Sequence, residues 1–97
     1  MENFTDKIAG TGLTVVDFNA EWCGPCRKLK PIFAKLAQEH PDCRFISVNV
    51  DEEEDLSDQY RIKSLPTVIL FREGKEIKRI VGFNPDALRE AVLNNAY

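Results

Sequence analysis

The sequence predicts one α/β domain built around a mixed central β-sheet. Its 97 residues leave room for a single domain, which we assign to residues 1–97. The first half alternates strand-like and helix-like segments, an order that favours parallel β-α-β pairing. Two strand-like segments nearer the end flank a short turn, so they predict a hairpin that adds antiparallel strands to the same sheet.

The first strand and the long helix are the clearest elements. Residues 13–18 are apolar and β-branched, which is typical of a strand buried on both faces. Over residues 26–40 the apolar side chains recur at helical spacing. Pro25 suits the first turn of this helix, and Pro41 ends it. Pro31 lies inside the helix and removes one backbone hydrogen bond, which predicts a kink.

The remaining elements are shorter. Residues 44–50 predict a second strand, and the acidic run that follows predicts a short helix over residues 51–60. A further short helix is expected over residues 5–10.

The C-terminal third predicts a hairpin and a final helix. Strands over residues 67–71 and 76–81 flank a turn that contains Gly74. Asn84 then serves as N-cap and Pro85 as the first residue of the helix. The side chains expected to point inward from it are Leu88, Ala91 and Val92.

Charge and composition narrow the classes of partner. The chain has 16 acidic and 13 basic residues, a formal net charge of −3. This balance argues against a nucleic acid or an anionic membrane as the main partner. Residues 1–7 carry acids and no apolar core, unlike a signal peptide, and the longest apolar run is too short to span a bilayer. With Met1 interpreted as a native start, we expect a cytoplasmic protein.

Cys23 and Cys26 form a Cys-x-x-Cys pair at the junction between the first strand and the long helix. This placement is typical of redox chemistry. Free N–H groups and the positive dipole end of a helix favour a thiolate at Cys23, and the basic residues that follow act in the same direction. In a reducing compartment such a pair indicates catalysis or metal binding rather than a structural disulfide.

A zinc site is one alternative, because Cys23, Cys26, His40 and Cys43 follow a zinc-like spacing. The predicted helix separates Cys26 from His40 by about 20 Å, whereas zinc ligands converge within one tetrahedron. No metal is therefore expected, although both the zinc site and a structural disulfide stay open as minor alternatives.

Residues 15–26, which read VVDFNAEWCGPC, resemble the active-site segment of the thioredoxins. Pro31 matches the helix-kinking proline of that family, residues 65–67 match its cis-proline loop, and Gly82 matches the glycine that faces the active site. The resemblance extends along nearly the whole chain. It implies the thioredoxin fold, a central mixed β-sheet flanked by helices on both faces.

The resemblance also implies a reaction. Cys23 would attack a target disulfide as the exposed nucleophile, and Cys26, as the more buried thiol, would resolve the mixed disulfide. A thioredoxin reductase, a flavoprotein that uses NADPH, would then restore the dithiol. No cofactor is expected to be bound; the redox group is the Cys23–Cys26 disulfide. The two residues between the cysteines, Gly24 and Pro25, are similar to those of reductant thioredoxins, whose reduction potential is about −270 mV, rather than to those of isomerases, at about −180 mV.

Asp17 is the third candidate catalytic residue. Its apolar neighbours predict a desolvated carboxyl with a raised pKa, although an aspartate in contact with water at the strand end is an alternative. The resemblance implies that it accepts the proton of the resolving thiol. Asn19 replaces a tryptophan found in many bacterial thioredoxins, which makes the site more polar. Ser47 replaces a lysine, and without that cation the pKa of Asp17 should be higher still.

The resemblance further implies a substrate-binding surface. Disulfide-containing target proteins would dock there, and the backbone of Leu65 would pair with the bound chain. Pro66 is expected to be cis, against the alternative of an ordinary trans proline. For Phe83 a core position is an equal alternative. The expected docking residues are Trp22, Gly24, Pro25, Leu65, Pro66, Gly82 and Phe83.

Several alternatives stay open at this point. Cys43 is expected to be a small buried hydrophobe, with a regulatory or dimer-forming thiol as the alternative. The protein is expected to act as a monomer. A non-catalytic binding module and a dedicated oxidant or isomerase are the competing functions.

Overall fold

The computed structural model describes residues 3–96 and contains a four-stranded sheet with helices on both faces. The interpretation of Met1 as a native start falls outside these residues. The strands are β1 (Thr14–Asn19), β2 (Arg44–Asn49), β3 (Thr67–Arg72) and β4 (Lys75–Val81). The helices are α1 (Phe4–Ile8), α2 (Gly24–Glu39), α3 (Glu54–Gln59) and α4 (Pro85–Asn95).

The strand order β2-β1-β3-β4 confirms the mixed sheet. β1 pairs with β2 in parallel and with β3 in antiparallel orientation, and β3 pairs with β4 as the predicted hairpin. The hairpin turn consists of Glu73 and Gly74, whose φ values are 54° and 80°. Positive φ at both turn positions matches the twist of the flanking strands, which is why glycine suits the second one.

Alternation along β1 divides the core into two layers. Val15 packs on the side covered by α2 and α4, where it meets Phe33 of α2 and Leu88 of α4. Val16 and Phe18 pack on the other side, in a cluster with Phe4 and Ile8 of α1. The same alternation therefore places Asp17 and Asn19 on the face that α2 covers.

The helix boundaries differ slightly from the predicted ones. α2 begins at Gly24 rather than residue 26, because Cys23 is its N-cap. α3 begins at Glu54 rather than residue 51, and α1 spans Phe4–Ile8 rather than residues 5–10. Pro31 lies within α2, and its kink stays a prediction.

The final helix follows its predicted signals. The side-chain oxygen of Asn84 accepts a hydrogen bond from the Ala87 backbone N–H at 3.2 Å, and Pro85 opens the helix. The three residues expected to face inward are all buried, namely Leu88, Ala91 and Val92. Within residues 3–96, no helix has both the length and the apolar character needed to cross a membrane.

Candidate active site

The cysteine pair lies where β1 leads into α2. Cys23 has extended backbone geometry and caps the helix, and the Cys26 backbone N–H donates to its Sγ at 3.2 Å. The two residues form a disulfide with their Cα atoms 5.2 Å apart. Both residues are buried, with exposed fractions of 5% for Cys23 and 4% for Cys26, so the expectation of an exposed Cys23 is wrong for the disulfide form. They pack with Ala20, Val50 and Leu65. An N–H aimed at sulfur at a helix N-terminus favours the thiolate when the disulfide is reduced.

An apolar groove of about 440 Å³ opens beside Cys23. Four of the predicted docking residues line it, namely Trp22, Gly24, Pro25 and Leu65. The indole of Trp22 is 68% exposed, and its Nε1 donates to Asp51 Oδ2 at 2.9 Å. This hydrogen bond to the segment after β2 was not predicted, because the two residues are distant in sequence.

The other three predicted docking residues lie outside the lining of that groove. The Leu65–Pro66 peptide bond is cis, as predicted. Gly82 has a φ of 87°, a conformation that favours glycine, and its N–H donates to the Pro66 carbonyl at 2.8 Å. Phe83 is exposed, so the core alternative for it is wrong.

Asp17 lies behind the cysteine pair in a second cleft, which measures about 480 Å³. The carboxyl is buried rather than in contact with water at the strand end, and Cys26 lines the same cleft. Burial raises the pKa of Asp17 to about 6, and a hydrogen bond from Asn19 acts in the opposite direction. Among the protein groups of residues 3–96, no donor meets its Oδ1.

Asn19 and Ser47 also line this cleft. Asn19 Nδ2 donates to Ser47 Oγ at 2.8 Å and to Asp17 Oδ2 at 3.4 Å. Sequence reasoning predicted a more polar site here but missed these contacts. The signal for one of them was available, since residues two apart on a strand share a face.

The zinc-like spacing does not bring its four residues together. Cys26 lies in the first turn of α2 and His40 is the C-cap at its other end, and Cys26 is bonded to Cys23. Across the described part of the chain, no group of three or more His, Cys, Asp or Glu side chains has a geometry that could hold a metal ion. Cys43 is half-buried against the core, and burial raises the pKa of its thiol.

The comparisons with known proteins agree with this geometry. The family model for thioredoxin matches residues 1–94. This chain belongs to the thioredoxin family. Thioredoxin-1 of Saccharomyces cerevisiae is 40% identical over 93 residues, which cover 96% of this chain and 90% of the yeast protein. Thioredoxin of Chlamydia trachomatis is 48% identical over 81 residues, covering 84% and 78% of the two chains.

Solved thioredoxin structures have the same fold. The oxidised form of mitochondrial thioredoxin 3 from Saccharomyces cerevisiae matches with a TM-score of 0.90 and 37% identity, covering 95% of this chain and 87% of that one. Thioredoxin of Malassezia sympodialis matches with a TM-score of 0.93 and 31% identity, covering 99% and 88%. With a Cys-x-x-Cys disulfide at the start of α2, this thioredoxin is a thiol–disulfide oxidoreductase.

Proposed function

We propose that this thioredoxin reduces protein disulfides, with Cys23 as nucleophile and Cys26 as resolving thiol. The observation that carries the proposal is the position of Cys23 Sγ at the N-cap of α2, where it accepts the Cys26 N–H. That donor and the helix dipole lower the free energy of the thiolate, which is the attacking form. The groove beside Cys23 supplies an apolar surface next to the sulfur.

The reaction has two exchange steps. The Cys23 thiolate attacks one sulfur of the target disulfide; a mixed disulfide forms, and the first target thiolate leaves. Cys26 then loses its proton and attacks Cys23 Sγ. The Cys23–Cys26 disulfide forms as the bond to the target breaks, and the second target thiolate leaves. Two electrons pass from the cysteine pair to the target.

Asp17 is the proton acceptor in the second step. Its buried carboxyl lines the same cleft as Cys26, and a pKa of about 6 suits a base that works near neutral pH. Its Oδ1 has no protein donor among the described residues, which leaves that oxygen available to accept a proton.

The target chain would dock in the groove that Cys23 lines. Trp22, Gly24, Pro25 and Leu65 line the groove beside Cys23, and the Gly82–Pro66 hydrogen bond holds the neighbouring loop against the end of β4. Pro66, Gly82 and the exposed Phe83 extend this surface. The Leu65 backbone would pair with the extended target.

We assign the return of the disulfide to the dithiol to a flavoprotein thioredoxin reductase that draws electrons from NADPH. We also propose that residues 1–97 act as a single monomeric domain in the cytoplasm. A reducing compartment would keep the pair available as a dithiol.

An NADPH-coupled insulin-reduction assay with a thioredoxin reductase tests the proposal. Cys23→Ser should abolish turnover, whereas Cys43→Ser should leave it unchanged. Cys26→Ser should accumulate a mixed disulfide between Cys23 and the target, seen by non-reducing mass analysis. Full turnover by Cys23→Ser would refute the assignment of Cys23 as nucleophile. A Cys23→Ser variant that still binds the partner of the wild-type protein, with a wild type that shows no turnover, would instead support a non-catalytic binding module.

The reduction potential separates a reductant from an isomerase. We expect a reduction potential of about −270 mV from equilibration with glutathione, in accord with Gly24 and Pro25 between the cysteines. A potential of about −180 mV would contradict the reductant assignment and favour the oxidant or isomerase alternative.

A further inference from the structure

The polar side chains behind the cysteine pair form a connected group. Asn19 Nδ2 lies 2.8 Å from Ser47 Oγ and 3.4 Å from Asp17 Oδ2. The same nitrogen lies 3.1 Å from the Asp17 backbone carbonyl. Asn19 is therefore held on two strands at once, with its amide against one oxygen of the buried carboxyl.

The two oxygens of Asp17 have different surroundings. Oδ2 accepts from Asn19, while Oδ1 has no protein donor among residues 3–96 although it is fully buried. The two oxygens of a carboxylate are chemically equivalent acceptors, so a hydrogen bond to one of them distinguishes it from the other. The contact with Asn19 makes this distinction and leaves Oδ1 as the free acceptor in the cleft that Cys26 also lines.

We infer that Asn19, anchored by Ser47, is a positioning residue for the resolving step, holding Asp17 Oδ2 so that Oδ1 accepts the Cys26 proton. The inference rests on the proposed role of Asp17. Asn19 touches neither sulfur in these contacts, so it acts through the carboxyl.

The other charged residues that line the cleft are exposed to solvent. Glu21, Arg27 and Lys30 line it from the β1–α2 turn and from α2. The Arg27 guanidinium is exposed and donates to the Glu21 backbone carbonyl at 2.8 Å. The neighbouring residues paired with Asp17 on β2 and β3 are Ser47 and Val68, which are uncharged. Asn19 is thus the side-chain donor on the carboxylate itself.

The test measures the rate at which Cys26 resolves a mixed disulfide on Cys23. A mixed disulfide of Cys23 with glutathione is prepared at low pH in a Cys43→Ser background, and glutathione release is timed after a jump to higher pH. Asn19→Ala should slow release about two-fold at about pH 8.5, where Asp17 is ionised with or without the donor, because Oδ1 is no longer held in place. It should slow release further at about pH 6, because loss of the donor also raises the pKa of Asp17. Ser47→Ala should change the rate in the same direction by less.

If Asn19 only stabilised the fold, its loss would not slow glutathione release more at the lower pH. Slowing at about pH 6 alone, an equal slowing at both pH values, or no slowing at all would overturn the inference. Asn19→Leu, which keeps the branching at Cγ without a donor, covers the case in which Asn19→Ala fails to fold. Asn94→Ala, at an exposed position on α4, is the matched control and should have no effect.

The double variant Asp17→Asn with Asn19→Ala separates this inference from the proposed function. It should resolve at the rate of Asp17→Asn alone, since Asn19 acts only through the carboxyl. Further slowing in the double variant overturns the positioning role and leaves the role of Asp17 intact. An Asp17→Asn variant that resolves at the wild-type rate overturns both. A carbon NMR titration of the Asp17 carboxyl should show the upward pKa shift in Asn19→Ala.

Discussion

Asp17 and Ser47 are directly paired residues in the parallel register of β1 and β2. The side chain next to the buried carboxyl is therefore a small hydroxyl rather than a cation. Burial is the main cause of the raised pKa of Asp17, and the hydrogen bond from the Asn19 amide opposes it. Burial, with no cation at the paired position on β2, makes this carboxyl costly to ionise inside the fold.

Asp17→Asn should stabilise the protein in a pH-dependent manner. The pKa of Asp17 rises from 3.8 to about 6 on folding, so its contribution to stability is present below about pH 4 and is lost as the pH rises through 6. At about pH 8 the variant should gain up to about 3 kcal/mol in the free energy of unfolding, and at about pH 3.5 almost none. Urea unfolding at the two pH values measures this, with Asp58→Asn at an exposed site as control. An equal gain at both values would contradict it.

Asp51→Ala should loosen Trp22 without unfolding the chain. The change removes the 2.9 Å hydrogen bond from the indole Nε1, which holds the ring at the edge of the apolar groove. Because Trp22 is the single tryptophan, acrylamide quenching of fluorescence reports its release. We expect faster quenching and a KM for a protein disulfide raised about three-fold, the value of one exposed hydrogen bond. Glu52→Ala is the adjacent control, and equal effects from both variants would refute the prediction.

Cys43 should react slowly in the reduced protein. Burial raises the pKa of its thiol, and the charge of Asp42 adds to the effect, while Arg72 opposes it. At neutral pH we expect iodoacetamide to modify Cys23 first, and Cys43 more slowly than a cysteine in the unfolded chain. Peptide mass analysis over time measures both rates. A Cys43 that is modified as fast as Cys23, or that forms dimers after peroxide treatment, would favour the regulatory alternative.

Asn84→Ala should destabilise the protein by about 1 kcal/mol, because it removes the N-cap oxygen that accepts from the Ala87 N–H. The urea midpoint should fall while the slope stays constant. Asn94→Ala, at an exposed position within α4, should leave the midpoint unchanged or raise it slightly, since alanine is the better helix former. Similar losses in both variants would show that the cap contributes nothing specific.

The elements around the active site could be predicted because their signals are local. The change from strand to helical spacing located Cys23 and Cys26 at the start of α2, and the Asn84-Pro85 signal located α4. The start of α2 differed by two residues because the capping role of Cys23 depends on backbone geometry, which residue spacing does not reveal. The apolar neighbours of Asp17 predicted its burial for a similarly local reason.

The contacts that tune the site depended on the tertiary structure. The amino-acid sequence by itself determined the cysteine pair, its helix and the desolvated carboxyl, since each follows from residues close together in the chain. The pairing of Asp17 with Ser47, and the reach of Asn19 to both, depended on the register of two strands joined through α2. A shift of one residue would reverse every side chain of β2, so only the packed sheet and helix select the partners of Asp17.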